Sequence, residues 1–172
     1  MIRAVRLDGI GPGDIVRVSV RGTGRDRTAK VVAFDPRRDV AVLEVAGLPA
    51  PALGQGKELG PGDPAVLAGF PGDKGLWVGS ARVRTTLTAK GADIYGGAGV
   101  TREIYSLRAQ VRSGASGGPV LNPAGDVVGM VFATSLDDPD TGYALTLEEV
   151  APVLREGLRN SSAVSTGRCA RG

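Results

Sequence analysis

The sequence predicts an all-β chain, two lobes of short antiparallel strands followed by a single helix near the C-terminus. Three observations carry that expectation. Among 172 residues, 27 glycines and 11 prolines punctuate an apolar content of 42%, with only 4% aromatics, the make-up of many short elements joined by tight turns. The clearest segments alternate apolar and polar residues, the period of a half-buried strand. Strands do not alternate with helices as a parallel sheet requires, which leaves paired antiparallel barrels or a sandwich. A chain of this length can bury a true core.

The first lobe is expected over residues 1–75 and the second over 76–172. "IVRVSV" (15–20) and "TAKVVAF" (28–34) read as a hairpin across the turn-rich "RGTGRDR". After the turn residues "DPRR", "DVAVLEV" (39–45) is a third strand. It sets Ala41, Leu43 and Val45 on one face and Val40 and Val42 on the other, so it is expected to lie deep. A Pro/Gly-rich loop covers 46–63, and "PAVLAGF" (64–70) is strand-like before "PGDKG" interrupts the chain. In the second lobe, strands are expected in "LWVGSARVRTTLT", "REIYSLRAQV", "GGPVLN", "GDVVGMVFAT" and "GYALTL", with a glycine-rich excursion from Lys90 to Gly99. Thr146 and Glu149 have capping-box spacing, and Leu147, Val150, Leu154 and Leu158 fall on one helical face. Pro152 leaves the first turn of that helix open. From Asn160 onward a loose tail is expected.

The net charge of +3 is concentrated at the start, where residues 1–38 hold nine Lys/Arg against four Asp/Glu. Without interleaved aromatics or a duplex-reading motif this reads as solvated surface, and no nucleic-acid partner is expected. No run reaches the roughly 18 apolar residues of a membrane span, and the first residues have no signal-peptide pattern. Cys169 is the only cysteine and histidine is absent, which rules out an internal disulfide and argues against zinc. No cofactor or metal is expected.

Chemistry concentrates in "RSGASGGPVLNPAGDVVGMVFA" (112–133). Gly114, Ser116 and Gly118 fit a Gly-x-Ser-x-Gly pattern shared by unrelated hydrolases. Pro119 and a hairpin turning at Asn122 to Gly125 follow, where a strand-to-helix elbow would need a helix. The alternatives at this point are a nucleophile beside inward-pointing N–H groups, or a polar corner in a tight turn.

With "DVAVLEV" upstream, "GASGGPVLNPAGDVVGMVF" resembles the nucleophile region of chymotrypsin-like serine proteases, in their bacterial trypsin-like and HtrA-like branch. "GADIYG", "TREIYSLRAQV", "DDPDTGYALT" and the late cysteine are similar to membrane-anchored, acid-resistance periplasmic serine proteases. Their protease domain follows a membrane segment not found in this chain. The resemblance implies a chymotrypsin-like double antiparallel β-barrel and cleavage of a protein or peptide substrate in the cell envelope. It makes Ser116 the nucleophile, the N–H groups of Gly114 and Ser116 the oxyanion hole, and Asp39 the acid that orients the base. It sets Gln110 at the base of the specificity pocket, Gly142, Tyr143 and Ala144 along its walls, and Thr134 with Ser135 on a substrate-pairing strand edge. It also implies a cysteine partner for Cys169 upstream of the barrel.

The match breaks at the base. Where the family carries Ala-His before its second strand, this chain reads "LDGIGPGDIV", and nothing there accepts a serine proton near neutral pH. Lys30 stands in a polar strand with nothing to desolvate it, so its ammonium is expected to stay charged. The expectation is therefore an incomplete first barrel and a nearly inert chain, either a fragment of a longer protease or, alternatively, a pseudo-protease kept as a peptide-binding module.

Overall fold

A computed structural model describes residues 3–4, 16–19, 26–48, 50–71 and 75–167. Cys169 and the "LDGIGPGD" stretch lie outside them, so the expectations placed there do too. Among the described residues the chain forms ten strands and one helix. The strands are β1 (Arg3–Ala4), β2 (Val16–Ser19), β3 (Asp26–Asp35), β4 (Val40–Val45), β5 (Pro64–Gly69), β6 (Trp77–Gly91), β7 (Val100–Arg108), β8 (Pro119–Leu121), β9 (Val127–Thr134) and β10 (Thr141–Thr146), and the helix is α1 (Leu147–Arg159). The all-β expectation with one C-terminal helix is met.

The chain divides into two compact units, Met1–Ala52 with Ala92–Ala98 and Ala151–Gly172, and Leu53–Gly91 with Gly99–Val150. The first crossing thus falls after Ala52 instead of near residue 75. The reason is β5, which pairs with β6 and β8 in the second unit.

In the first unit the strands form one sheet in the order β1-β4-β3-β2. The expected hairpin is β2 on β3, with Val16 opposite Ala29 and Ser19 opposite Asp26. Strand β4 is central because both of its faces are apolar. Ala41 and Leu43 join Val16, Val18, Ala29 and Val31 in one core cluster. Val42, on the opposite face, is so close to the helix that a methyl group on Gly157 would lie 2.4 Å from it. Residues 160–167 of the tail are tied down, contrary to expectation. Asn160 Nδ2 donates to the Val32 carbonyl, Val164 N donates to that of Val31, and the Val164 side chain packs on the core.

The second unit is a closed barrel in the order β10-β7-β6-β5-β8-β9. Closure gives every strand a neighbour on both sides over part of its length. Its interior holds Leu67, Val83, Tyr105, Leu107, Val120, Val128, Val131 and Ala144. The long β6–β7 hairpin, with a register shift between Val83 and Thr85, runs out to Gly91 opposite Val100, and the expected glycine-rich excursion is the segment 92–99 between them, of which Ala92–Ala98 belong to the first unit.

Candidate active site

The segment after β7 carries Ser116 on two successive β-turns. Ala115 N donates to the Arg112 carbonyl (3.0 Å) and Gly118 N donates to that of Ala115 (3.0 Å). Gly114 (φ 84°) and Gly117 (φ 80°) occupy the third position of each turn, the one that takes positive φ in a type II turn and so favours glycine. Ala115, the shared corner, is buried, and Ser116 follows it half-buried. Gly117 N donates to the Val131 carbonyl at 2.7 Å, anchoring the second turn to β9.

This geometry sorts the N–H groups. Those of Ala115, Gly117 and Gly118 are spent on carbonyls, whereas among the described residues no backbone carbonyl accepts from Gly114 or Ser116. A pair of unspent amides beside a serine hydroxyl is the arrangement that stabilises a carbonyl oxygen gaining negative charge. The hydroxyl itself is lightly held. Ser116 Oγ donates to the Phe132 carbonyl at 3.3 Å, long for an O–H···O bond, so turning it toward another acceptor forfeits little. The loop is backed by the end of β5. A methyl group on Gly118 would lie 2.1 Å from the Ala68 carbonyl oxygen, and only glycine fits.

The expected pocket residues lie on β9, on β10, in the turn between them and in the segment that precedes this loop. Strand β9 continues past its last partner on β8, Met130 opposite Pro119, to Thr134 opposite Gly142 on β10. Among the described residues, 133 and 134 therefore pair on one side only, and Phe132 falls at the bulge between the Ala133 and Val131 pairings. Ser135 is committed to a turn, its Oγ accepting from Asp137 N and Asp138 N, both at 3.2 Å. Gln110 Nε2 donates to Asp140 Oδ1 at 2.8 Å. A methyl group on Gly142 would lie 2.4 Å from Val111 Cγ2, so glycine is required where β10 passes this segment. The Tyr143 ring stands 6.5 Å from that of Phe132, tilted by 35°. Ala144 is fully buried in the barrel core, so its methyl serves packing. The Thr141 hydroxyl and Asp140 N–H bond the Asp138 carboxyl and hold it below its ordinary range, with Arg84 contributing at 3.4 Å.

Asp39 belongs to the first unit. It ends the turn before β4, half-buried, with φ 56°, a left-handed conformation that aspartate tolerates better than most residues. Its turn is fixed by Asp35, whose Oδ1 accepts from Arg37 N (2.8 Å) and Arg38 N (3.2 Å). Lys30, also in the first unit, pairs with Glu44 at 2.9 Å and donates to the Ser161 carbonyl; it is a strand-surface cation. Among the described residues one group of three carboxylates, Glu58, Glu103 and Glu148, lies close enough together to consider a metal. The sequence reading missed this group. It also missed Trp77, over whose ring Arg112 stacks at 5.7 Å. Each joins residues far apart in the sequence and leaves no local spacing signal.

No helix among the described residues is long and apolar enough to cross a membrane. The chain is similar to known serine proteases. Serine protease Rv3671c of Mycobacterium tuberculosis is 40% identical over 154 residues, which cover 88% of this chain and 38% of that protein. A probable periplasmic serine endoprotease, DegP-like, of Brucella suis is 30% identical over 163 residues, covering 89% of this chain and 30% of its own. The chain thus spans well under half the length of these relatives. The crystal structure of the M. tuberculosis Rv3671c protease in its active form superposes with a TM-score of 0.86 at 38% identity, covering 92% of this chain and 69% of that one. The trypsin-like peptidase domain matches residues 8–130, and this chain is a member of that family of serine proteases.

Proposed function

We propose that the chain carries the nucleophile, the oxyanion donors and the orienting acid of a serine endopeptidase. Ser116 Oγ attacks the peptide carbonyl, and the N–H groups of Gly114 and Ser116 receive the negative charge on its oxygen. Asp39 orients and stabilises an imidazole base, as the acid of a triad does. Residues 132–134 pair with an extended substrate, and Gln110, Gly142 and Tyr143 border the pocket for its side chain. The substrates are proteins or peptides, and the location is the cell envelope, in keeping with a relative named as periplasmic.

One observation carries this reading, the two-turn loop that leaves the Gly114 and Ser116 amides unspent beside the Ser116 hydroxyl. The imidazole is not among these 172 residues, which include no histidine. Loss of the base from such a triad lowers turnover by on the order of 10⁶-fold. The same composition favours a second reading, a peptide-binding module that keeps the groove without turnover.

A fluorophosphonate probe separates the two. Slow labelling of Ser116, accelerated by added imidazole and abolished in Ser116→Ala, is the expected result. Rapid labelling without imidazole would contradict dependence on an external base. Labelling that imidazole leaves unchanged, with peptide binding retained, would favour the binding module.

A further inference from the structure

Residues 110–112 border a second feature, on their β6 side instead of the β10 side where Gly142 and Tyr143 stand. A cleft of about 310 Å³ is lined by Trp77, Gly79, Ser80, Gln110, Val111 and Arg112. We infer that it binds a carboxylate of an acidic peptide substrate, with Arg112 as the specificity-determining residue. This inference rests on the endopeptidase reading for the word substrate, but not for the carboxylate site itself.

The cleft is built around one cation. Trp77 opens β6 and packs its inner side on the barrel core. Its ring lies back across Gly79, where a methyl group would come within 2.4 Å of Trp77 Cζ2, so a side chain at 79 would push the indole away. On that fixed platform the Arg112 guanidinium sits 5.7 Å from the ring centroid. The cation–π contact steadies the guanidinium beside the indole, and its planar fork of donors suits a carboxylate better than lysine's point charge does.

The remaining lining suits an anion. Ser80 and Gln110 bring a hydroxyl and an amide, and none of the six lining residues is acidic. The carboxylate bonded to the lining, Asp140, is engaged by Gln110 at 2.8 Å. Among the described residues no carboxylate is paired with Arg112. A guanidinium so placed recognises a carboxylate through two parallel hydrogen bonds.

Connectivity argues for a peptide over a free anion. The Arg112 carbonyl accepts from Ala115 N and closes the turn that presents Gly114. A group held by Arg112 is therefore two residues from the proposed oxyanion donor, within reach of a chain lying along the loop.

Trp77 is the only tryptophan of the chain, so its fluorescence reports on this cleft alone. The test titrates the intact protein with an end-blocked pentapeptide carrying a central glutamate, and with its glutamine counterpart. The glutamate peptide is expected to give a saturable fluorescence change that weakens with salt. Arg112→Gln should weaken its binding about tenfold or more, with Arg112→Lys in between. Equal responses to the two peptides, or unchanged affinity in Arg112→Gln, would overturn the proposal. So would an equal response to sodium acetate or inorganic phosphate at the same concentration, which would mark a bare anion site. The readout is binding, so Ser116→Ala should leave it intact. If Ser116 resists the fluorophosphonate even with added imidazole while charge discrimination at Trp77 persists, the endopeptidase reading fails and the carboxylate site stands.

Discussion

Gly118 is where the nucleophile loop tolerates least change. An added methyl group would meet two backbone oxygens, those of Ala68 at 2.1 Å and Ala115 at 2.9 Å, and neither can swing aside as a side-chain tip can. Gly118→Ala is therefore expected to destabilise the chain by about 1–3 kcal/mol, the range of overpacked interiors. Its urea midpoint should fall and fluorophosphonate labelling of Ser116 should slow. An unchanged midpoint would mean that β5 does not back the loop as closely as described. The sequence displays the glycines of this loop because positive φ at Gly114 and Gly117 is a local demand that only certain residues meet. The need at Gly118 comes from β5, about fifty positions earlier in the chain, and no local pattern encodes it. Asp39 is the converse case, a non-glycine at φ 56°, and nothing in "DPRRDVAVL" announces a left-handed residue.

Between elements, the carboxylates of Glu103 on β7, Glu148 in the first turn of α1 and Glu58 ahead of β5 converge to within 4.8 Å of one another. Desolvation raises the Glu58 carboxyl above its ordinary value of 4.5, and the charges of Glu103 and Glu148 raise it further. The neighbouring Tyr105 hydroxyl, which accepts from Leu59 N at 3.2 Å, is raised as well, chiefly by its burial. A carboxyl raised on folding means that the folded state holds its proton more tightly than the unfolded chain does. Its destabilising effect is absent at acid pH, begins as pH climbs past 4.5 and is complete above the folded value. Glu58→Gln removes that effect, so its stability advantage over the parent should grow from about pH 4 to about pH 8 in denaturation midpoints. An advantage independent of pH would show that the three carboxylates do not interact. The same region shows how far helix periodicity can be trusted. Thr146 caps α1 as its spacing indicates, accepting from Glu149 N at 3.2 Å. The buried stripe, however, is Val150, Val153 and Gly157, while Leu158 is 66% exposed. Of the expected face, Leu147, Val150, Leu154 and Leu158, only Val150 is fully buried, and the close approach of Val42 places Gly157 in the buried stripe instead of Leu158.

For the molecule as a whole, the two units differ in how their backbones are satisfied. Every strand of the barrel has a neighbour on each side, whereas in the sheet order β1-β4-β3-β2 the outer strands have one among the described residues. Patterning made every strand except the two-residue β1 visible but could not distinguish these cases, because alternation reports burial and says nothing about the partner across the ladder. It could not assign β5 either, since "PAVLAG" reads the same in a sheet or a barrel until its pairings with β6 and β8 are known. The strands were therefore legible while the sheet to which β5 belongs was not. The difference in closure should appear in amide hydrogen exchange. Opening a closed barrel breaks ladders on two sides of a strand, so the amides of β6, β7 and β10 are expected to exchange slowest, near the rate of global unfolding. An outer strand frays by losing one ladder, so β2 should exchange orders of magnitude faster than the centrally placed β4 of its own sheet. Protection of β2 equal to that of β4 would show that its outer side is covered. The first unit's sheet would then be a closed or paired structure, and the expectation of an incomplete first barrel would have to be given up.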